Sequence, residues 1–179
     1  MTFVFVSGDL ALDFAATLKW RRRAEPDELL PAGAEVGRWA VEAGLLTRAP
    51  RIGTDEHREL LALREAVYRL LHPSAAAPRP ADVRVVNRAA AQPGPTLALT
   101  AGGVRRTGDA GAVGAAIAGA ALALLESRPP IRECAGEECT RLFVDRSRAG
   151  NRTWCGMDEC GNKVKAASYR ARRIRTVPM

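Results

Sequence analysis

All four cysteines of this 179-residue chain lie between positions 134 and 160. Cys134 and Cys139 are separated by four residues, Cys155 and Cys160 by four, and fifteen lie between the two pairs. A tetrahedral ion asks for this layout: two local clips, each closing a short loop, joined by a segment long enough to double back. With Zn–S bonds of about 2.3 Å, neighbouring sulfurs stand about 3.8 Å apart, which a tight loop can impose. Four thiolates fill the coordination sphere and leave no place for water or substrate. The spacing therefore points to one structural Zn2+ per chain, with Cys134, Cys139, Cys155 and Cys160 as ligands. An iron–sulfur cluster, a redox-labile pair, or two disulfides in a secreted protein are the alternatives.

The residues between the clips can position them. Leu142–Asp145 and Asn151–Trp154 read as paired strands joined by a turn at Arg146–Gly150. Phe143 and Trp154 are the large side chains available to cover the metal. Cys160 falls at the mouth of an expected helix from about Gly161 to Arg173, where free N–H groups and the dipole stabilise a thiolate. Knuckle, β hairpin and helix together predict a treble-clef-like finger. It has too few apolar residues for a core of its own, so metal binding must supply much of its folding energy.

Upstream, apolar periodicity predicts a mainly helical α+β fold. A short strand is expected at Met1–Val6, then a helix from Asp9, its N-cap, to Trp20. Further helices are expected at Val36–Leu46, Asp55–Leu71 behind a Thr54 cap, Ala81–Ala91 and Ala110–Glu126. Thr96–Thr100 and Val104–Thr107 around Gly102-Gly103 predict a small β hairpin. Gly111, Ala115, Gly119 and Ala123 recur every four residues, a pattern for core packing or, alternatively, a dimer seam. Ser127-Arg128-Pro129-Pro130 marks the expected boundary between a domain at 1–128 and the finger at 129–179.

The chain carries a formal net charge of +7, and 47% of it is apolar, as in globular proteins. Residues 131–179 hold eleven Lys/Arg against six Asp/Glu, so the basic character sits with the cysteines. The apolar start stops after six residues with no basic segment before it, and the sixteen uncharged residues Ala110–Leu125 are short for a membrane span. A cytoplasmic, non-membrane protein is expected, where thiols stay reduced and available to metal.

Several stretches of the finger are similar to the CGNR zinc finger. They are Phe143-Val144-Asp145-Arg146-Ser147-Arg148, Asn151-Arg152-Thr153-Trp154-Cys155-Gly156-Met157 and Cys160-Gly161-Asn162-Lys163. The resemblance covers about Ile131 to Arg173. Lys163 stands where the motif has arginine, keeping the charge but not the planar fork; Gly156 stands where serine is common. More loosely, Leu10–Thr17 and Trp39–Leu46 resemble the ABATE domain, described as a stress-induced transcription regulator, with Ala16 in place of asparagine. The resemblance implies a bacterial regulator whose finger binds DNA.

The charges agree with that implication. Arg146, Arg148 and Arg152 flank the expected turn, and Lys163, Lys165, Arg170, Arg172 and Arg173 line the expected last helix, a pattern suited to phosphates of duplex DNA. The front domain is then expected to sense an unknown small-molecule effector or to form a homodimer. An acidic protein partner or RNA are the rival readings of the basic surface. His57 and His72 read as surface or capping residues, Asp9 and Asp13 as helix-capping groups, Trp20 and Trp39 as core, and Arg21–Arg23 as a solvated helix end. No phosphate loop, nucleophile elbow or HExxH motif is present, so no enzyme activity is expected.

Overall fold

The computed structural model describes residues 2–161. Asp9 accepts a hydrogen bond from the Ala11 N–H at 2.8 Å and caps α1 (Leu10–Ala15), as the sequence predicts. The helix ends well before Trp20. The Thr17 hydroxyl donates to the Phe14 carbonyl at 2.7 Å, a side-chain bond that competes with helical pairing. The chain then extends into β1 (Leu18–Lys19), which pairs antiparallel with β2 (Asp27–Glu28). Arg21–Arg23 consequently lie on the turn between these strands rather than on a helix end. Residues 2–6 form no strand, contrary to their apolar pattern; their backbone is used singly, the Val6 carbonyl accepting from Arg152 Nη2 at 3.0 Å.

The remaining helices follow the periodicity. They are α2 (Gly33–Glu42), α3 (Thr54–Leu71), α4 (Pro80–Ala90) and α5 (Ala110–Ser127), with the hairpin β3 (Thr96–Thr100) and β4 (Gly103–Thr107) before α5. Helix α2 starts three residues and ends four residues earlier than expected. Gly53 rather than Thr54 caps α3, its N–H donating to Glu56 Oε2 at 2.7 Å. Pro80 opens α4 at a position where a missing N–H costs nothing.

Helices α3, α4 and α5 pack mutually, and α1 lies against α3 and α5. Trp39, Phe14, Leu12, Leu30, Leu63, Val67, Val113 and Ile117 are buried in one cluster, with the Trp39 and Phe14 rings 4.8 Å apart. Two buried charges on the helices are paired: Arg64, 3% exposed, grips Glu28 through two bonds of 2.6 and 2.7 Å and donates to Glu65 at 2.9 Å. Arg69 holds Asp82 the same way between α3 and α4 at 2.6 and 3.0 Å.

The small-residue stripe on α5 does not serve the core as expected. Ala115 is buried, but Gly119 and Ala123 are exposed, and the packed face is Val113, Gly114, Ile117, Ala118, Ala121 and Leu124. A four-residue repeat drifts about 40° per step around a helix, so such a stripe winds out of the interface. This helix is long and apolar enough by composition to cross a membrane, and in the fold its apolar face packs on α1, α3 and α4.

The finger strands pair differently from the expected hairpin. β5 (Ile131–Glu133) pairs antiparallel with β6 (Leu142–Val144), Ile131 opposite Val144 and Glu133 opposite Leu142. The Cys134–Cys139 clip draws the two ends of its own loop together, so the strands flanking it pair first. Residues 151–154 form no strand. They run beside the knuckle, where the Ala135 N–H donates to the Thr153 carbonyl at 3.0 Å. Strand β6 is a wall shared by two interiors. Its side chains alternate as strands require: Leu142 and Val144 enter the helical core, and Phe143 enters a second cluster with Cys134 and Cys155.

Candidate metal centre and basic turn

The first pair of thiols sits on the loop closing β5 and β6; of the second pair, Cys155 precedes a π-helical turn (Met157–Gly161) and Cys160 lies within it. Helical bonding thus begins at Met157, ahead of the expected helix start at Gly161, and carries Cys160 within it: the Cys160 and Gly161 N–H groups both donate to the Gly156 carbonyl, at 3.1 and 3.0 Å. The rest of that expected helix lies outside the described residues.

The four Sγ atoms lie within 4.8 Å of one another. Cys139 and Cys155 are 3.9 Å apart and Cys155 and Cys160 3.7 Å, close to the edge of a tetrahedron with Zn–S bonds of about 2.3 Å. These distances exclude disulfides, and all four cysteines are free thiols. The backbone makes room for the cluster at Gly136, where a Cβ would stand 3.1 Å from Cys139 Cβ and 3.3 Å from Cys160 Sγ. Phe143 is fully buried against Cys134 and Cys155, and Trp154 packs on the same cluster.

The donor chemistry fits a dication as well. Thiol hydrogen bonds from Cys139 and Cys155, aided by N–H groups of Cys155 and Gly136, push the Cys134 thiol far down. The same thiol bonds to Cys134 and Cys139, with burial, push Cys155 up; burial first, then the negative charge at Cys139 and Cys134, pushes Cys160 up. One thiolate forms readily and then opposes the others, a conflict that a bound Zn2+ removes by pairing with all of them. Lys19 and Arg141 line the same cleft as Cys139, Cys155 and Cys160 and offset the net negative charge of a four-thiolate zinc site. The ion supplies no reactive position there; it cross-links the knuckle to the 155–161 turn.

Beyond the metal, Asp145 organises the segment that follows. Buried at 5% exposure, its carboxylate accepts from Ser147 Oγ at 2.6 Å, Ser147 N at 3.0 Å, Arg152 N at 3.0 Å and Arg132 Nε at 3.0 Å. The Ser147 hydroxyl foremost, with those N–H groups and the Arg132 charge, holds this carboxyl below its ordinary range. The result is a fixed turn at 145–152 presenting Arg146 and Arg148, which are exposed and donate to no acceptor among the described residues.

Arg152 is turned the other way. Its guanidinium donates to the carbonyls of Trp154 (2.9 Å), Val6 (3.0 Å) and Cys155, and lies over the Phe143 ring at 4.5 Å. Expected on the nucleic-acid surface, it instead ties the finger to the N-terminal segment. The expected contact residues Lys163, Lys165, Arg170, Arg172 and Arg173 lie outside the described residues.

Sequence reasoning also missed the bridge from the β1–β2 turn. Arg22 pairs with Glu133 at 2.6 Å, Arg23 pairs with Glu138, and the Arg21 N–H donates to Thr140 Oγ1 at 3.3 Å. Arg21 itself reaches back to Glu65 and lies 4.1 Å above the Tyr68 ring. An opposite-sign match between the arginine triplet and the glutamates of the knuckle was the available signal. His57 and His72 have partners distant in sequence, the Leu30 carbonyl at 2.9 Å and Glu133 at 3.3 Å.

A helical α+β domain sharing one strand wall with a four-thiolate knuckle defines a protein with a structural zinc finger. The chain belongs to the ABATE family, described as "Putative stress-induced transcription regulator", which matches residues 8–128. A CGNR zinc finger matches residues 131–173. None of the curated proteins matches the chain.

Proposed function

We propose that the protein is a transcription regulator that grips duplex DNA with the basic surface of its zinc finger. The observation that carries this reading is the turn at 145–152, where a buried carboxylate locks the backbone and leaves Arg146 and Arg148 exposed, with no hydrogen bond or ion pair from either guanidinium among the described residues. Cations held on a rigid turn lose little freedom on meeting phosphate, which is how backbone contacts position a protein on DNA. The sequence adds Lys163, Lys165, Arg170, Arg172 and Arg173 just after the last metal ligand. Arg152 is no part of this surface.

The front domain acts as the sensor. A cavity of about 340 Å³ opens between α3, α4 and α5, lined by Leu60, Leu63, Val85 and Ala89 and by the charged Glu59, Arg88 and Asp109, a size suited to a small polar effector. An occupant there reaches the finger through the core that Leu142 and Val144 of β6 help to form. The protein is non-catalytic and works in the cytoplasm, where its thiols remain available to zinc.

Titrating a fluorescent duplex with zinc-loaded protein at several salt concentrations tests the DNA reading. For about six phosphate contacts, log affinity falls with log salt at a slope of about −5. Replacing both Arg146 and Arg148 by alanine weakens binding across sequences and makes the slope shallower by about 2. Absence of duplex affinity at low salt, with capture of an acidic protein surface by the same residues, would replace this reading with that of a protein-interaction module.

A further inference from the structure

The hairpin β3–β4 stands outside the core. Every residue of both strands is exposed, with Leu97 63%, Leu99 87% and Val104 51% open to solvent. Its turn is set by Gly103, whose φ of +105° suits glycine. A lone two-stranded hairpin is marginal in water, and soluble proteins ordinarily blunt an apolar strand edge with charge, proline or a bulge.

The two edges of this hairpin differ. On the β4 side, the Arg106 carbonyl accepts from the Thr47 N–H at 2.9 Å and the Arg106 N–H donates to Thr47 Oγ1 at 2.7 Å. That edge is capped by a neighbouring segment and carries Arg105 and Arg106. Within Thr96–Thr100 the β3 edge has no charge and no proline, Pro95 lying just before it, and among the described residues it has no strand beside it. Antiparallel pairing alternates, so the outward backbone groups of Arg106 show that its partner Leu97, and with it Leu99, directs N–H and C=O to the open side.

Residues 96–100 read Thr-Leu-Ala-Leu-Thr, the same in both directions. Turned about a two-fold axis at Ala98, the strand meets a copy of itself antiparallel, with Thr96 opposite Thr100, Leu97 opposite Leu99 and Ala98 opposite Ala98. Each Leu97–Leu99 pair then exchanges backbone bonds, and their side chains meet on one face. Pairing through β4 would instead displace Thr47 and set arginines beside arginines.

We propose that β3 is a self-docking edge: two copies of the chain join antiparallel through Thr96–Thr100 into a four-stranded sheet ordered β4-β3-β3-β4. The contact is isologous and closes at two copies. So short an edge buries far less than the roughly 1,600 Å² of a standard interface, so the dimer exchanges rapidly at micromolar concentration. It does not depend on the DNA reading; where both hold, it presents two fingers about a two-fold axis.

Sedimentation velocity of the zinc-loaded full chain across a concentration series tests the proposal. The expected result is a monomer–dimer equilibrium that Leu99→Lys, at a fully exposed site, weakens at least about tenfold. Register is read by cross-linking with oxidised glutathione. Ala98→Cys links two copies, since facing non-hydrogen-bonded residues have Cα atoms about 4.5 Å apart, within disulfide reach. Thr100→Cys does not, because two such residues stand about 13 Å apart along the paired strands. A chain monomeric at every concentration overturns the proposal. So does a dimer indifferent to Leu99→Lys, or one in which Thr100→Cys links as fast as Ala98→Cys, which would place the seam elsewhere, such as the exposed stripe of α5.

Discussion

Between α1 and α5 the chain buries Phe14, Trp39, Leu63, Val67, Val113 and Ile117 in one apolar cluster, whereas among the described residues the metal side of the finger offers one fully buried aromatic side chain, Phe143, beside its cysteines. The first region is held by area removed from water. The second is held by four thiols that oppose one another's ionisation until a cation joins them. Strand β6 shows that the two regimes are not separate, since its alternate residues serve one interior and then the other. Chemistry at the metal is therefore felt in the helical core.

Metal loss should have the largest effect on the finger. Cys155→Ser, or a strong chelator, removes a contribution on the order of 10 kcal/mol from the finger. Hydrogen exchange should then show 134–161 unprotected, with α1 and α3 still protected but the melting temperature of the whole chain lowered, because β6 loses its support. Full protection of the finger after metal removal would contradict the division. Trp39→Ala does the reverse, costing about 3–5 kcal/mol in denaturant unfolding through the cavity it leaves, while zinc stoichiometry measured on folded protein stays unchanged.

Smaller changes sharpen the boundary. Asp145→Asn should loosen the 145–152 turn and lower DNA affinity while leaving the helices intact. The sign with pH follows from the depressed carboxyl. Its contribution is whole above the ordinary carboxylate value of about 3.9 and is lost as pH falls through the lower folded value. Acid also releases zinc, so the reading is the difference in amide exchange between variant and parent at each pH. It should be large at pH 7 and vanish in acid. Least of all, Arg22→Ala and Arg23→Ala should each cost under about 1 kcal/mol, because these pairs are solvent-exposed. A larger loss in thermal melts would mean that the β1–β2 turn clamps the finger more firmly than ion pairs can.

Where the sequence was legible, one physical signal governed the outcome. The helices α2 to α5 and the hairpin around Gly102-Gly103 follow from periodicity and turn chemistry, and the four thiols from their spacing. Misreadings arose where a second force took over. Thr17 cut α1 short by bonding backwards to Phe14, which moved Arg21–Arg23 from a helix end to a turn facing the knuckle. The cysteine clip paired β6 with β5 ahead of residues 151–154. Charge counting placed Arg152 with its neighbours, yet a planar guanidinium among free carbonyls and a phenyl ring found better use inside. By residue type alone Asp145 is one more acid in a basic stretch; only the folded turn reveals what its oxygens hold.

X-ray absorption at the zinc edge, together with metal analysis of protein purified without added metal, decides whether the four thiols hold an ion. One zinc per chain surrounded by four sulfurs at about 2.3 Å is expected. A chain without zinc, or zinc with nitrogen or oxygen ligands in its first shell, would contradict it.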